Sequence, residues 1–153
     1  MGSGGYTDKD WKSYSSTRNL SSKSTKTEDI YQSRALNEGM DPLKFRIREA
    51  RDSAEHPAST PIIIGLDVTG SMSPVLDFVA RKGMNTVCTE ILNRKPVTDP
   101  QICSVGIGDV EYDIAPFQAS QFESDIRILE HLEKLFLEGG GGANNHESYI
   151  LAW

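Results

Sequence analysis

The sequence is short of several things that would each have pointed to a definite way of life. Only two cysteines, Cys88 and Cys103, occur in 153 residues, which excludes a disulfide framework, and their spacing matches no thiolate metal site. Both fall at apolar positions of expected elements and read as reduced core thiols. No apolar run approaches the roughly 18 residues needed to span a bilayer. The first thirty residues are polar, so neither a membrane helix nor a signal peptide is expected, and the cytoplasm is the expected compartment. An excess of positive charge is missing too. The net charge is −6, with ten Lys/Arg against nine Asp/Glu in residues 1–57 and six against thirteen in 58–153. An acidic folded part argues against nucleic acid as a partner and favours bound cations. Histidine is scarce: His56 falls in a connector, His131 on a helix and His146 in a glycine loop, with no nucleophile–base pair in the pattern. No enzyme is expected on these grounds.

What is present divides into two parts. Residues 1–57 form a polar extension, and 58–153 carry the apolar periodicity of a folded domain. Up to about Lys26 the extension is rich in Ser, Thr, Gly and Tyr with no period of two or of 3.6, the composition of a disordered arm. Trp11 and Tyr14 stand out there, as anchors onto a neighbour or as solvated aromatics. Thr27 to Asn37 reads as a short helix capped by Thr27. Leu43 to Ser53 alternates apolar and basic residues, as an edge strand would.

The most informative stretch is Pro61-Ile62-Ile63-Ile64-Gly65-Leu66-Asp67-Val68-Thr69-Gly70-Ser71-Met72-Ser73-Pro74. Its uninterrupted β-branched run predicts a central parallel strand covered on both faces. Ser73-Pro74 reads as the cap and first residue of a helix. Between them stand a carboxylate and two hydroxyls at alternate positions, Asp67, Thr69 and Ser71, which an extended loop projects to one side. Hard cations such as Mg2+ take such oxygen ligands.

Leu76, Val79, Met84, Val87, Cys88 and Ile91 continue as the apolar stripe of a helix over 74–93. Gln101 to Asp109 then reads as a second buried strand. A strand-helix-strand unit makes the two strands parallel, so that Asp109 emerges on the same sheet edge as Asp67, either as an outer-shell metal residue or as a turn residue. Tyr112 to Gln118 predicts a short antiparallel return strand at an edge, given Pro116. Ser124 is expected to cap a helix running to about Leu137. Four consecutive glycines, Gly139 to Gly142, then lead through Asn144-Asn145-His146 to Glu147. Such a run gives a loop freedom to fold over a ligand, but lacks the Gly-Lys-Ser/Thr ending of a phosphate loop.

The Asp67-Val68-Thr69-Gly70-Ser71 loop resembles the Asp-x-Ser/Thr-x-Ser metal-ion-dependent adhesion site of von Willebrand factor type A domains. The Gly-rich run before Glu147 is similar to the second loop of integrin β subunits and of some bacterial and phage-type members. The resemblance spans about Pro61 to Trp153. It implies an α/β fold with a Rossmann-like, doubly wound, mostly parallel sheet, incomplete at its C-terminal side, since a further central strand and its third site loop do not follow. It implies Mg2+ or Mn2+ held by the Thr69 and Ser71 hydroxyls, with Asp67 acting through water and Glu147 as the second-loop carboxylate. Asn144 and Asn145 are possible carbonyl donors. An acidic residue of a protein partner would complete the coordination. Two alternatives stand beside this reading. Asp67 could be the nucleophile of a metal-dependent phosphohydrolase, although Thr69 occupies the place of the second Asp that such enzymes use. The domain could also be degenerate and purely structural.

Overall fold

The computed structural model describes residues 5–139 and 148–152. Among these, three strands form one sheet in the order β1-β2-β3. β1 (Thr60–Asp67) runs parallel to β2 (Pro100–Ile107), and β3 (Phe117–Ala119) runs antiparallel to β2. The protein is therefore mixed α/β with a small, mostly parallel sheet. Between β1 and β2 lies one continuous helical run, in which α-turns at α3 (Ser73–Phe78) and α4 (Met84–Cys88) alternate with wider π-turns at Val79–Gly83 and Thr89–Asn93.

The alternation follows from the spacing of the buried residues. Leu76, Ala80, Met84, Cys88 and Leu92 recur every fourth residue. A strict four-residue repeat overshoots the 3.6-residue turn, so in a pure α-helix the stripe would precess by about 40° per repeat. The π-turns take up the surplus residue and keep the stripe facing the sheet. The sequence pattern picks out Leu76, Met84 and Cys88 correctly; Ala80 and Leu92 become visible only with the wider turns.

This stripe meets Ile62, Ile64, Leu66 and Ile102 from the sheet, and Ile128, Leu129, Leu132 and Leu135 from α5 (Arg127–Leu132) and the turn after it. On the opposite sheet face Cys103, Val105, Ile107 and Ala119 form a second cluster. Phe45, Phe117, Phe122 and Ala152 close it, from irregular segments, β3 and the 3₁₀ turn Tyr149–Ala152. Both cysteines are free and buried, and burial pushes the Cys88 thiol up to about 12.

Several expectations are corrected here. The strand that is central and wholly buried is β2, not β1. β2 has a neighbour on each side and all eight of its residues are buried, whereas β1 is paired on one side only among the described residues and leaves Ile63 55% exposed. The expected disordered arm is ordered over its described part. Helix α1 (Asp8–Thr17) starts at a capping box between Thr7 and Asp10, which satisfies the amides of those two residues. Tyr6 and Leu20 on either side of α1 are buried, and Trp11 and Tyr14 pack against the same core. Arg81 fastens the segment that follows. Its guanidinium binds both Asp77 oxygens at 2.9 and 2.8 Å and donates to the carbonyls of Leu20 at 2.7 Å, Ser22 at 3.0 Å and Thr25. A few well-placed anchors order a segment that lacks any periodicity.

The helix expected over 27–37 shortens to α2 (Thr27–Ile30), with Lys26 in place of Thr27 at the cap. The strand expected at 43–53 does not form. The segment instead turns Phe45 inward, under the Arg48 guanidinium 3.6 Å above the ring, to pack on the sheet face opposite the helices. Ser124 does not cap α5. The amide of Arg127 is instead held by Asp125 Oδ1 at 3.0 Å. Met72, rather than Ser73, precedes α3. The antiparallel edge strand is found, confined to Phe117–Ala119.

Candidate metal centre

β1 ends at Asp67, and the ladder continues one step further through Val68 N–H to the Ile107 carbonyl at 2.9 Å. The loop that follows is thereby seated over the end of β2. Within it the Thr69 amide and hydroxyl both donate to Asp67 Oδ1, at 2.9 and 2.6 Å. The Ser71 hydroxyl lies 3.5 Å from that of Thr69. A tight turn at Gly70–Met72 closes the loop, held by Ser73 Oγ donating to the Gly70 carbonyl at 2.9 Å. The alternation Asp67, Thr69, Ser71 thus does bring three oxygen-bearing side chains together. Thr69 is buried and Asp67 half-buried.

Because β1 and β2 are parallel with Asp67 opposite Ile107, the Gly108-Asp109 turn leaves the sheet at the same edge. Asp109 is 3% exposed. Its Oδ1 accepts from the Glu111 amide at 2.8 Å, and its backbone amide donates to Asp113 Oδ2 at 2.7 Å. Asp109 Oδ2 is buried and has no hydrogen-bond partner among the described residues. A buried carboxylate oxygen without a partner carries a free-energy cost of about 1–3 kcal/mol or more, which a cation or water would remove. A Cβ at 108 would displace the Asp113 carboxylate from the Asp109 amide it accepts from.

Two residues that the sequence pattern does not single out complete the arrangement. Ser148 links its amide to the Gly108 carbonyl at 3.0 Å and accepts from the Val110 amide at 2.9 Å. Tyr149 donates its hydroxyl to Asp67 Oδ2 at 3.1 Å. Together they tie the Asp67 loop to the Asp109 loop. Tyr149 is 82 residues from Asp67 in sequence, and no local pattern marks such a pair. Asp113 does leave a local signal, as the second Asp four residues after Asp109 in one turn. Glu147, Asn144, Asn145 and His146 lie outside the described residues.

All the donors gathered here are oxygens, as a hard cation requires, and the partnerless Asp109 Oδ2 sits at the same sheet edge. The residues fit Mg2+ or Mn2+. Among the described residues no group of three His, Cys, Asp or Glu side chains converges, so such an ion would depend on hydroxyls and water as well as carboxylates.

The opposite, amino-terminal end of the parallel strands holds a different trio. His56 Nε2 lies 3.4 Å from Ser124 Oγ and His56 Nδ1 lies 3.8 Å from Asp99 Oδ1. The second distance is too long for a hydrogen bond. The contact between His56 and Ser124 ties the connector before β1 to the segment leading into α5. Beside the candidate centre, Val110, Tyr112 and Ile114 are exposed while Asp109 and Asp113 turn inward onto backbone amides. An apolar trough of about 460 Å³ runs there, lined in part by Leu36, Leu43, Val110, Ile114, Phe117 and Leu151. Among the described residues no helix is long and apolar enough to cross a membrane. Comparison of the chain with protein-family models, with curated proteins and with solved structures finds no match.

Proposed function

We propose that the chain is a metal-ion-dependent protein-interaction module of the von Willebrand factor A type, with a Rossmann-like, doubly wound sheet. Thr69 and Ser71 would hold Mg2+ or Mn2+ directly and Asp67 through water. Asp109 stands in the outer shell, and Glu147 is the carboxylate of the second loop. When bound, the cation would supply a positive charge at that end of the strands, with which an acidic side chain of a protein partner would pair. The observation that carries this reading is the convergence of Asp67, Thr69 and Ser71 at the carboxyl end of a parallel strand, where open α/β sheets bind their ligands. The exposed apolar side chains of Val110, Tyr112 and Ile114 beside that edge support a protein as the partner, because soluble surfaces keep contiguous apolar patches small unless something docks there. Nothing in the donor set calls for turnover, since Thr69 stands where a phosphohydrolase of this type would carry its general acid.

Titration calorimetry with Mg2+ and with Mn2+ tests the proposal. Heat of binding is expected for the chain and is expected to vanish in Thr69→Ala and in Ser71→Ala, with the thermal midpoint of the apo variants close to that of the parent. A folded parent that takes up neither ion, or a Thr69→Ala variant that binds as well as the parent, overturns it.

A further inference from the structure

Asp67 is held twice, by two different parts of the chain. Its Oδ1 accepts both the amide and the hydroxyl of Thr69, at 2.9 and 2.6 Å, which is the local bonding of any Asp that closes a turn two residues on. The second oxygen is no part of that turn. Oδ2 accepts the Tyr149 hydroxyl at 3.1 Å, across 82 residues of sequence. A carboxylate pinned at one oxygen can still rock about it, whereas one pinned at both has its plane fixed. Of the roughly four lone-pair sites of a carboxylate, three are taken by these donors, and the one left over among the described residues is on Oδ2. Any water or cation that Asp67 serves must therefore be reached through the oxygen that Tyr149 holds. The bond is also longer than the roughly 2.5–2.7 Å usual for a hydroxyl on a carboxylate, so Oδ2 keeps much of its charge for a second donor.

The Tyr149 hydroxyl is not what secures its own segment. The Ser148 amide donates to the Gly108 carbonyl at 3.0 Å and the Leu151 amide to the Ser148 carbonyl at 2.9 Å. Ser148 Oγ accepts from the Val110 amide at 2.9 Å, and Ala152 packs into the second apolar cluster. Tyr149 itself is 49% exposed, so its ring adds little to the core. A half-exposed aromatic that spends its hydroxyl on Asp67, in a segment its neighbours already anchor, serves the carboxylate more than the fold. We propose that Tyr149 is a positioning residue of the candidate cation site: its hydroxyl sets the plane of the Asp67 carboxylate and so directs Oδ2, the oxygen through which Asp67 acts on the ion. Partners that orient a metal site's carboxylates in this way commonly carry a tenfold or greater share of the affinity.

The inference deepens the metal reading and rests on it, and one experiment separates the two. Titration calorimetry with Mg2+ and with Mn2+ is run on the full chain and on Tyr149→Phe, which removes the hydroxyl and keeps the ring. The affinity is expected to fall about tenfold or more in the variant, while its thermal midpoint in EDTA stays at that of the parent. A merely structural tie would lower that midpoint instead. Near-ultraviolet difference spectra give a second readout. Adding Mg2+ to the parent should perturb a tyrosine, because the hydroxyl shares Oδ2 with the group that Asp67 binds, and the band should be missing from Tyr149→Phe. A parent that binds the ion beside a Tyr149→Phe variant that binds it equally well overturns this inference and leaves the metal reading standing. So does a variant whose metal-free midpoint falls along with its affinity. A folded parent that takes up neither ion overturns both.

Discussion

β1 and β2 are the same length, run side by side in the same direction and read almost alike as sequence, TPIIIGLD and PQICSVGI. β1 is the more apolar of the two, yet β2 is buried at every position and β1 alternates between half-buried and exposed over Thr60 to Gly65. What separates them is company. β2 has a strand on each side, helices against one face and Phe45, Phe117 and Phe122 against the other. β1 shares the helices but, among the described residues, has a strand on one side only. Burial belongs to the neighbourhood of a strand and not to its composition, so an apolar run states what a strand tolerates rather than what surrounds it.

The widest gap between the two strands should appear in stability. Ile102→Ala, on the fully buried side of β2, is expected to cost about 2–5 kcal/mol through lost burial and the cavity it leaves. Ile63→Ala on β1 should cost less than about 1 kcal/mol, since its side chain already meets water. Urea denaturation of both variants would erase the contrast if the two costs came out equal.

A smaller effect should come from the helical layer over β2, and it should appear as pH dependence. His131 on α5 is held down to about 4, first by burial and then by the positive charges of Lys134, Arg127 and Arg48, with Asp125 opposing. Its ordinary value is 6.5, so between these two values the unfolded chain binds a proton that the folded chain refuses. Stability should therefore be full above about pH 6.5, decline as the pH falls toward 4, and lose nothing further from this group below that. Replacing the ring by His131→Gln should flatten that part of the profile, measured as the thermal midpoint across the range.

The finest resolution comes from amide exchange. Ile62 and Ile64, bonded to β2, should exchange slowly, and Ile63 and Gly65, facing away from β2 with no strand beside them among the described residues, should exchange quickly. Uniform protection of the four amides would remove the contrast.

Much of the candidate site could be read directly because it is local. Asp67, Thr69 and Ser71 lie within five residues of one another, and the short polar side chains that hold the loop are the same ones that mark it in sequence. Asp109 followed from topology, since a helix between two apolar strands makes them parallel and sends both loops to one edge. Ser148 and Tyr149 could not be found this way. Their partners are Gly108, Val110 and Asp67, reached only when the chain closes on itself.

The sequence by itself determined the strand-helix-strand unit, the antiparallel return strand and the oxygen-lined loop, because periodicity, turn chemistry and capping act over a few residues. Tertiary structure alone decided that β2 rather than β1 would be central and that a polar arm without any period would be ordered by Arg81, Tyr6 and Leu20. It also decided that the alternating segment near Phe45 would pack that ring on a sheet face and not pair as a strand. Each of these depends on which surfaces remain available once the sheet has formed, a quantity that no single stretch of chain carries.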